Sequence, residues 1–248
     1  MHEVSKTFMT ALLQPAGHPP ATIDRADAAP GDENTLGQQV YLDLELRILS
    51  GHLLPGDKVS LRKLATAFQT SMQPVREAVG RLVAASALEV TQSRSIRVPP
   101  IERPIVDEIW STRLLLEGEA AARFAARNVP EEARALFAKT RMMRSSRFGI
   151  DFHPTVLGLM EWNRRLLDGS AAPILIDIVH RLHLRYAPFL ALAMSVDQPH
   201  DPEFLQFTLH MQDELGLAIE TGDVAAARHL RCADMRSFQR YLYRRMGW

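Results

Sequence analysis

From residue 35 onward the apolar positions recur every three or four residues, and one short stretch breaks that rhythm. Leu36, Val40, Leu44 and Ile48 mark a first helix over residues 35–50, stopped by Gly51. After the Pro55-Gly56 turn, Ser60 can cap a short segment that places Leu61, Leu64, Ala65 and Phe68 on one face. Ser71 opens the next segment, with Pro74 in the first turn, where a missing N–H costs nothing, and Val75, Val79, Leu82 and Val83 along one side. Beyond Leu88 the period becomes two: Glu89, Val90 and Thr91, a turn over Gln92 to Ser95, then Ile96 and Val98. Two short helices, a tight break and a strand-turn-strand predict a winged helix-turn-helix over residues 34–98, with a small β-wing.

Pro99, Pro100 and Pro104 predict a stiff linker over residues 99–104. From 105 to 248 no alternating pattern returns. Helical segments fall near 104–128, 130–147, 154–168, 171–194, 202–221 and 223–246, each with an apolar stripe too wide for a solitary solvated helix. They predict an all-α bundle of about six helices, in which ligand sites lie between facing helices. The fold class is therefore mainly α. Residues 1–33 carry Pro15, Pro19, Pro20 and Pro30 without a sustained period and read as a flexible arm.

Charge sharpens the picture. The 29 Lys and Arg balance the 29 Asp and Glu over the 248 residues. Residues 58–103 nevertheless set eight cations against Glu77, Glu89 and Glu102, a net of +5 confined to the helix-turn-helix, as a polyanion site requires. The segment opening at Ser71 presents Ser71, Met72, Gln73 and Arg76 in its first turns and Arg81 farther along, which makes it the candidate recognition helix. Arg94 and Arg97 sit on the hairpin. The single cysteine, Cys232, excludes an intramolecular disulfide and a cysteine-rich metal site, and fits a reducing cytoplasm. No apolar run approaches the ~20 residues of a membrane span, and Phe8 to Leu13 is too short for a secretory signal, so the expected location is cytoplasmic.

The stretch YLDLELRILSGHLLPGDKVS, then LRKLA, then SMQPVREAVGRL, resembles the DNA-binding domain of the GntR family of bacterial transcription regulators. The resemblance implies DNA contacts from Arg62 in the first helix and from Ser71, Gln73 and Arg76 in the second. Two positions depart from the family: Met72 stands where Arg is usual, and Ser95 where the wing usually has Gly. Loss of a bidentate guanidinium removes roughly 1–3 kcal/mol of base discrimination, so the operator should differ from the family's commonest one.

The second half, through RLLLEGEAA with Arg113 and Glu117, WNRRLLDGSAAP and IETGDVAAARHLRCADM, resembles the FCD effector domain of the FadR subfamily. That resemblance implies a pocket holding a divalent metal on an Asp and three His. Counting from Ser170-Pro173 and Gly222-Asp223 puts Leu159, Asn163, Gln212 and Asp234 at those positions. Amide oxygens are poor ligands and Leu159 is none, so no metal and no other cofactor is expected. Phe152-His153 lies ten residues too early to restore the set, and Pro154 makes it a helix start. His180 and His183, three apart, could pair on a metal, although ordinary polar roles are commoner. What remains is a metal-free effector site of Arg113, Asn163, Gln212 and Asp234, with Trp110, Trp162, Tyr186, Phe189 and Met residues as candidate walls. Arg113 would grip a carboxylate or phosphate unless it is spent on an internal salt bridge with Glu117.

These readings converge on a homodimeric regulator that reads an inverted repeat of double-stranded DNA, a repressor released or modulated by a small acidic metabolite. No nucleophile-base pairing or phosphate loop suggests an enzyme. A metal-binding or enzymatic helical half, and a constitutive DNA binder without effector control, are the alternatives.

Overall fold

The computed structural model describes residues 35–145, 152–196 and 201–248, so the expected arm at 1–33 lies outside the described residues. The N-terminal half begins with α1, Leu36–Leu49, capped by the Thr35 side chain on Gln38 N. The chain turns through Gly51, whose φ of 76° suits a residue without Cβ. The following Pro-Gly-Asp turn explains itself: Gly56 takes φ 86°, and the Asp57 carboxylate accepts from Leu54 N at 2.8 Å. Then come β1, Lys58–Val59, α2, Leu61–Ala67, and α3, Met72–Ala84. The wing strands are β2, Glu89–Val90, and β3, Ile96–Arg97.

The sheet order is β1-β3-β2, all antiparallel, with Lys58 opposite Arg97 and Glu89 opposite Arg97 on the other side. Sequence periodicity misses β1 because the Pro-Gly-Asp turn and the Ser60 cap bound it directly, whereas the equally short wing strands sit in a longer alternating stretch on either side of a turn. The wing turn solves the missing glycine by another route. Arg94 takes the left-handed conformation (φ 58°), while Thr91 Oγ1 accepts from Ser95 N.

The helical half comprises α4, Arg103–Arg127, α5, Pro130–Ser145, α6, Phe152–Asp168, α7, Pro173–Ser195, α8, Pro202–Glu220, and α9, Val224–Arg245. All six expected helices are there. Pro104 belongs to the first turn of α4 rather than to the linker, because no N–H is needed at that position. Helix α4 packs along α9, and the two approach closely at Gly118, where an added Cβ would lie 2.7 Å from Cys232 Sγ. That closeness lets side chains of α4 and α9 meet directly.

The two halves share one apolar cluster, running from Val40, Leu44 and Ile48 of α1 to Leu184 and Ala187 of α7. Polar contacts cross the seam as well. Buried Glu45 of α1 accepts from Tyr41 OH and from His180 Nε2 of α7, each at 2.8 Å. The His52 and His153 rings stack with centroids 3.8 Å apart, and His153 Nδ1 donates to Ser50 O. No described helix is long and apolar enough to cross a membrane.

Candidate nucleic-acid interface and helical-domain cavity

Helix α3 buries Val75, Ala78, Val79 and Leu82 against its own domain and leaves the opposite face to solvent. Ser71, Gln73 and Arg76 are exposed and Met72 is half-buried at its N-terminal end. Ser71 makes no side-chain cap bond, so its hydroxyl is uncommitted. Gln73 Nε2 donates to Glu77 Oε1 at 3.1 Å. Arg62 on α2, Arg76 on α3 and Arg94 at the wing tip are exposed and make no ion pair among the described residues. The other two predicted contacts are engaged within the protein. Arg81 stacks 3.8 Å from the Tyr41 ring centroid and donates to Gln38 Oε1, and Arg97 pairs across the hairpin with Glu89 at 2.6 Å. Either guanidinium must give up those partners to reach a phosphate or base.

In the helical half Arg113, Asn163, Gln212 and Asp234, brought together by α4, α6, α8 and α9, line a single cavity of about 30 Å³. Its polar floor is a buried ion cluster. Arg113 Nε donates to Glu117 Oε1 at 2.7 Å, one turn along α4. Glu117, fully buried, also accepts from His183 Nε2 at 2.9 Å and from Arg231 Nη2. Arg231 donates further to Asn163 Oδ1 and, at 3.3 Å, to Asp234 Oδ2. The Arg113 guanidinium stacks 4.0 Å from the Tyr186 ring centroid and 4.8 Å from that of Trp110, and Arg231 lies 5.1 Å from that of Trp162. Arg113 Nη1, Arg231 Nε, Trp110 Nε1, Thr208 Oγ1 and Asp234 Oδ1 are buried without a hydrogen-bond partner.

Electrostatics follow from this packing. Burial alone would raise the Glu117 pKa, but Arg113, Arg231 and His183 outweigh it and hold the carboxyl well below its usual range. Burial of Arg113 is likewise overridden by Glu117 and Tyr186, which keep the guanidinium charged. His183 is pushed down to about 4 by burial, so it is neutral, with its Nε2 proton on the Glu117 carboxylate. Burial raises Asp234 to about 6 against the pull of Arg231. At the seam, burial and the neighbouring His153 and Arg47 lower His52 to about 4.

These shifts set a sign for stability against pH. His183 and His52 bind protons in the unfolded chain below about 6.5 but not in the folded one until about 4, so each weakens folding as pH falls through that window. Asp234 has the opposite sign between about 6 and 4, since only the folded state takes its proton there. Two histidines outweigh one aspartate. The unfolding free energy from urea titrations should therefore fall from pH 7 to pH 5, by up to about 1 kcal/mol per pH unit, and Asp234→Asn should steepen the fall.

Several sequence readings need correction here. Phe189 does not wall the cavity; it stacks on the C-terminal Trp248. His180 and His183 do not converge, because one reaches Glu45 and the other Glu117. The salt bridge weighed for Arg113 with Glu117 exists, yet it leaves Arg113 Nη1 unpartnered. Leu159, Asn163, Gln212 and Asp234 do share the cavity, but their chemistry is one carboxylate, two amides and a hydrocarbon, which does not fit a divalent ion. No group of three or more His, Cys, Asp or Glu among the described residues is arranged to hold a metal. Arg231 and Thr208 line the cavity without any expectation from the sequence, and His183, expected at most as half of a metal pair, instead holds Glu117. Of Arg231 and Thr208 only Arg231 leaves a trace in the sequence, three residues before Asp234 on a helix face.

Comparison with known proteins agrees with both halves. Residues 36–98 match the model for bacterial regulatory proteins of the gntR family, and residues 108–236 match the FCD domain. The HTH-type transcriptional regulator McbR of Escherichia coli K12 is 26% identical over 209 residues, 84% of this chain and 93% of that protein. The gluconate operon transcriptional repressor of Bacillus licheniformis is 29% identical over 62% of this chain and 69% of its own. The solved structure of E. coli McbR/YncC superposes with a TM-score of 0.74 at 27% identity, covering 85% of this chain and 98% of that one. With a gntR-type helix-turn-helix joined to an FCD domain, the chain belongs to the GntR family of DNA-binding transcription regulators, in its FadR-like branch.

Proposed function

We propose that this regulator is a homodimeric repressor that reads an inverted repeat through Ser71, Met72, Gln73 and Arg76, with Arg62 and Arg94 on the backbone, and that a small carboxylate bound without metal releases it. The convergence of Arg113, Asn163, Gln212 and Asp234 on one cavity with unpartnered buried donors carries this reading. The name of the B. licheniformis relative supports repression. Metal independence is supported by Arg231, whose guanidinium already bonds Asn163 and Asp234 and supplies the fixed positive charge there. Leu115 on α4 and Ile174 and Ile178 on α7 are exposed apolar side chains, and their exposure supports burial against a second copy. Dimerisation multiplies the few base pairs that one recognition helix reads. In this reading the chain acts by binding rather than catalysis, in the cytoplasm where its DNA lies.

Helix α7 is the route between sites. His183 holds Glu117 under the cavity, and His180, one turn away, holds Glu45 of α1. A ligand that draws Arg113 away from Glu117 alters the anchor of α7 and, through it, the seat of the DNA-binding half. It shifts the equilibrium only as far as it prefers one arrangement over the other. A thermal-shift screen of chelator-treated protein tests the proposal. A rise of several degrees with a small carboxylic acid, and none with zinc, nickel or manganese, is expected; a rise with a metal alone overturns metal independence.

A further inference from the structure

The charged residues of the cavity form an open chain of alternating sign. Arg113 donates to Glu117, Glu117 accepts Arg231 as well, and Arg231 donates to Asp234. Each end of the chain is unfinished. Arg113 Nη1 at the cationic end and Asp234 Oδ1 at the anionic end lack partners, although these residues are only 2% and 4% exposed and line the same cavity. An unsatisfied buried donor or acceptor loses its hydrogen bonds to water without replacement, so both ends favour a ligand that completes them.

The charges narrow that ligand further. Two guanidinium groups face two carboxylates, and His183 is neutral, so the cluster is balanced when Asp234 is ionised. A simple carboxylic acid would satisfy the Arg113 end, leave Asp234 Oδ1 bare and add uncompensated negative charge beside a buried ion cluster. A simple amine would do the reverse. Trp110 Nε1 and Tyr186 OH are further unpartnered donors beside the Arg113 guanidinium, which suits the two oxygens of one carboxylate.

We propose that the cavity binds a small zwitterion of the α-amino-acid type, with its carboxylate on Arg113 and Trp110 and its ammonium on Asp234. The side chain of such a ligand would lie against Trp162 and Phe238. The inference rests on the effector reading above and names the ligand class for that site. The present volume of about 30 Å³ holds little more than a water molecule, so the ligand must be small and the walls must part to admit it. The flanking helices α6 and α8 pack mainly on other helices rather than on each other, which leaves that side free to open.

The test is calorimetric titration of the full, chelator-treated chain with the proteinogenic L-amino acids, each beside its deaminated acid and its decarboxylated amine; phenylalanine, 3-phenylpropanoate and 2-phenylethylamine form one such trio. At least one amino acid should bind at least about tenfold more tightly than its own acid and amine. Asp234→Asn should weaken that amino acid at least about tenfold while leaving the acid's affinity unchanged or higher, with circular dichroism and melting confirming the fold. An acid that binds as well as its amino acid, or an amino acid indifferent to Asp234→Asn, overturns the zwitterion site and leaves the effector cavity standing as an anion site. If no member of any class binds, the zwitterion site and the effector reading fall together.

Discussion

Glu117→Ala lowers the melting temperature by about 10 °C, the largest stability effect expected of any single polar substitution in this chain. The carboxylate is fully buried and is shared by Arg113, Arg231 and His183. Its removal leaves two guanidinium groups facing each other in a low-dielectric site, and breaking a buried ion pair in this way costs about 3–5 kcal/mol. For a chain of this size each kcal/mol moves the melting point by about 2–4 °C. Glu119, two residues on, is the natural control. It pairs with Arg123 and Arg228 near the surface, at a third of its full exposure, and Glu119→Ala should cost no more than about 1 kcal/mol. Differential scanning calorimetry decides the matter, and a Glu117→Ala protein melting within about 2 °C of wild type would mean that the cluster is not the anchor described here.

Arg76→Ala reduces affinity for a specific duplex by about tenfold to a hundredfold while leaving the melting temperature within about a degree of wild type. The guanidinium is exposed on the free face of α3 and has no ion-pair partner among the described residues, so folding loses nothing when it goes. A bidentate base contact is worth about 1–3 kcal/mol, and a phosphate contact would instead reduce the salt slope of binding by about one. Fluorescence anisotropy at several salt concentrations separates these two roles. Arg81→Ala should show the reverse pattern, with a small effect on DNA and a measurable loss of stability, because its guanidinium stacks on Tyr41 and bonds Gln38. Equal DNA affinity of Arg76→Ala and wild type removes Arg76 from the interface.

How far the sequence reaches depends on whether a feature is local. The helices are legible because each is long enough to repeat its apolar period, and the solvent face of α3 follows from the burial of Val75, Val79 and Leu82. The +5 charge over residues 58–103 is likewise a local property. Strand β1 is illegible because a turn and a helix cap flank it directly, whereas the equally short wing strands lie in a longer alternating stretch. The seam between the halves is hidden for another reason. Glu45 reads as an ordinary helix carboxylate, and nothing near it announces His180, 135 residues away. The cavity stands between these cases. Asn163, Gln212 and Asp234 follow from the family's spacing and Arg113 from its motif, and all four line one cavity. The role of Arg231 depends on the close approach of α4 and α9 at Gly118, which no single stretch of sequence contains.

The central claim is sequence-specific DNA recognition by this helix-turn-helix. The most direct test is selection of duplexes from a random pool by the purified wild-type chain, with the Arg62→Ala/Arg76→Ala protein run in parallel. The account predicts that wild type enriches an inverted repeat with half-sites about one helical turn, roughly 10 base pairs, apart or at a multiple of that spacing. It also predicts that the double variant, folded by its melting curve, enriches nothing. Failure of wild type to enrich any sequence, or enrichment of the same repeat by the double variant, contradicts it.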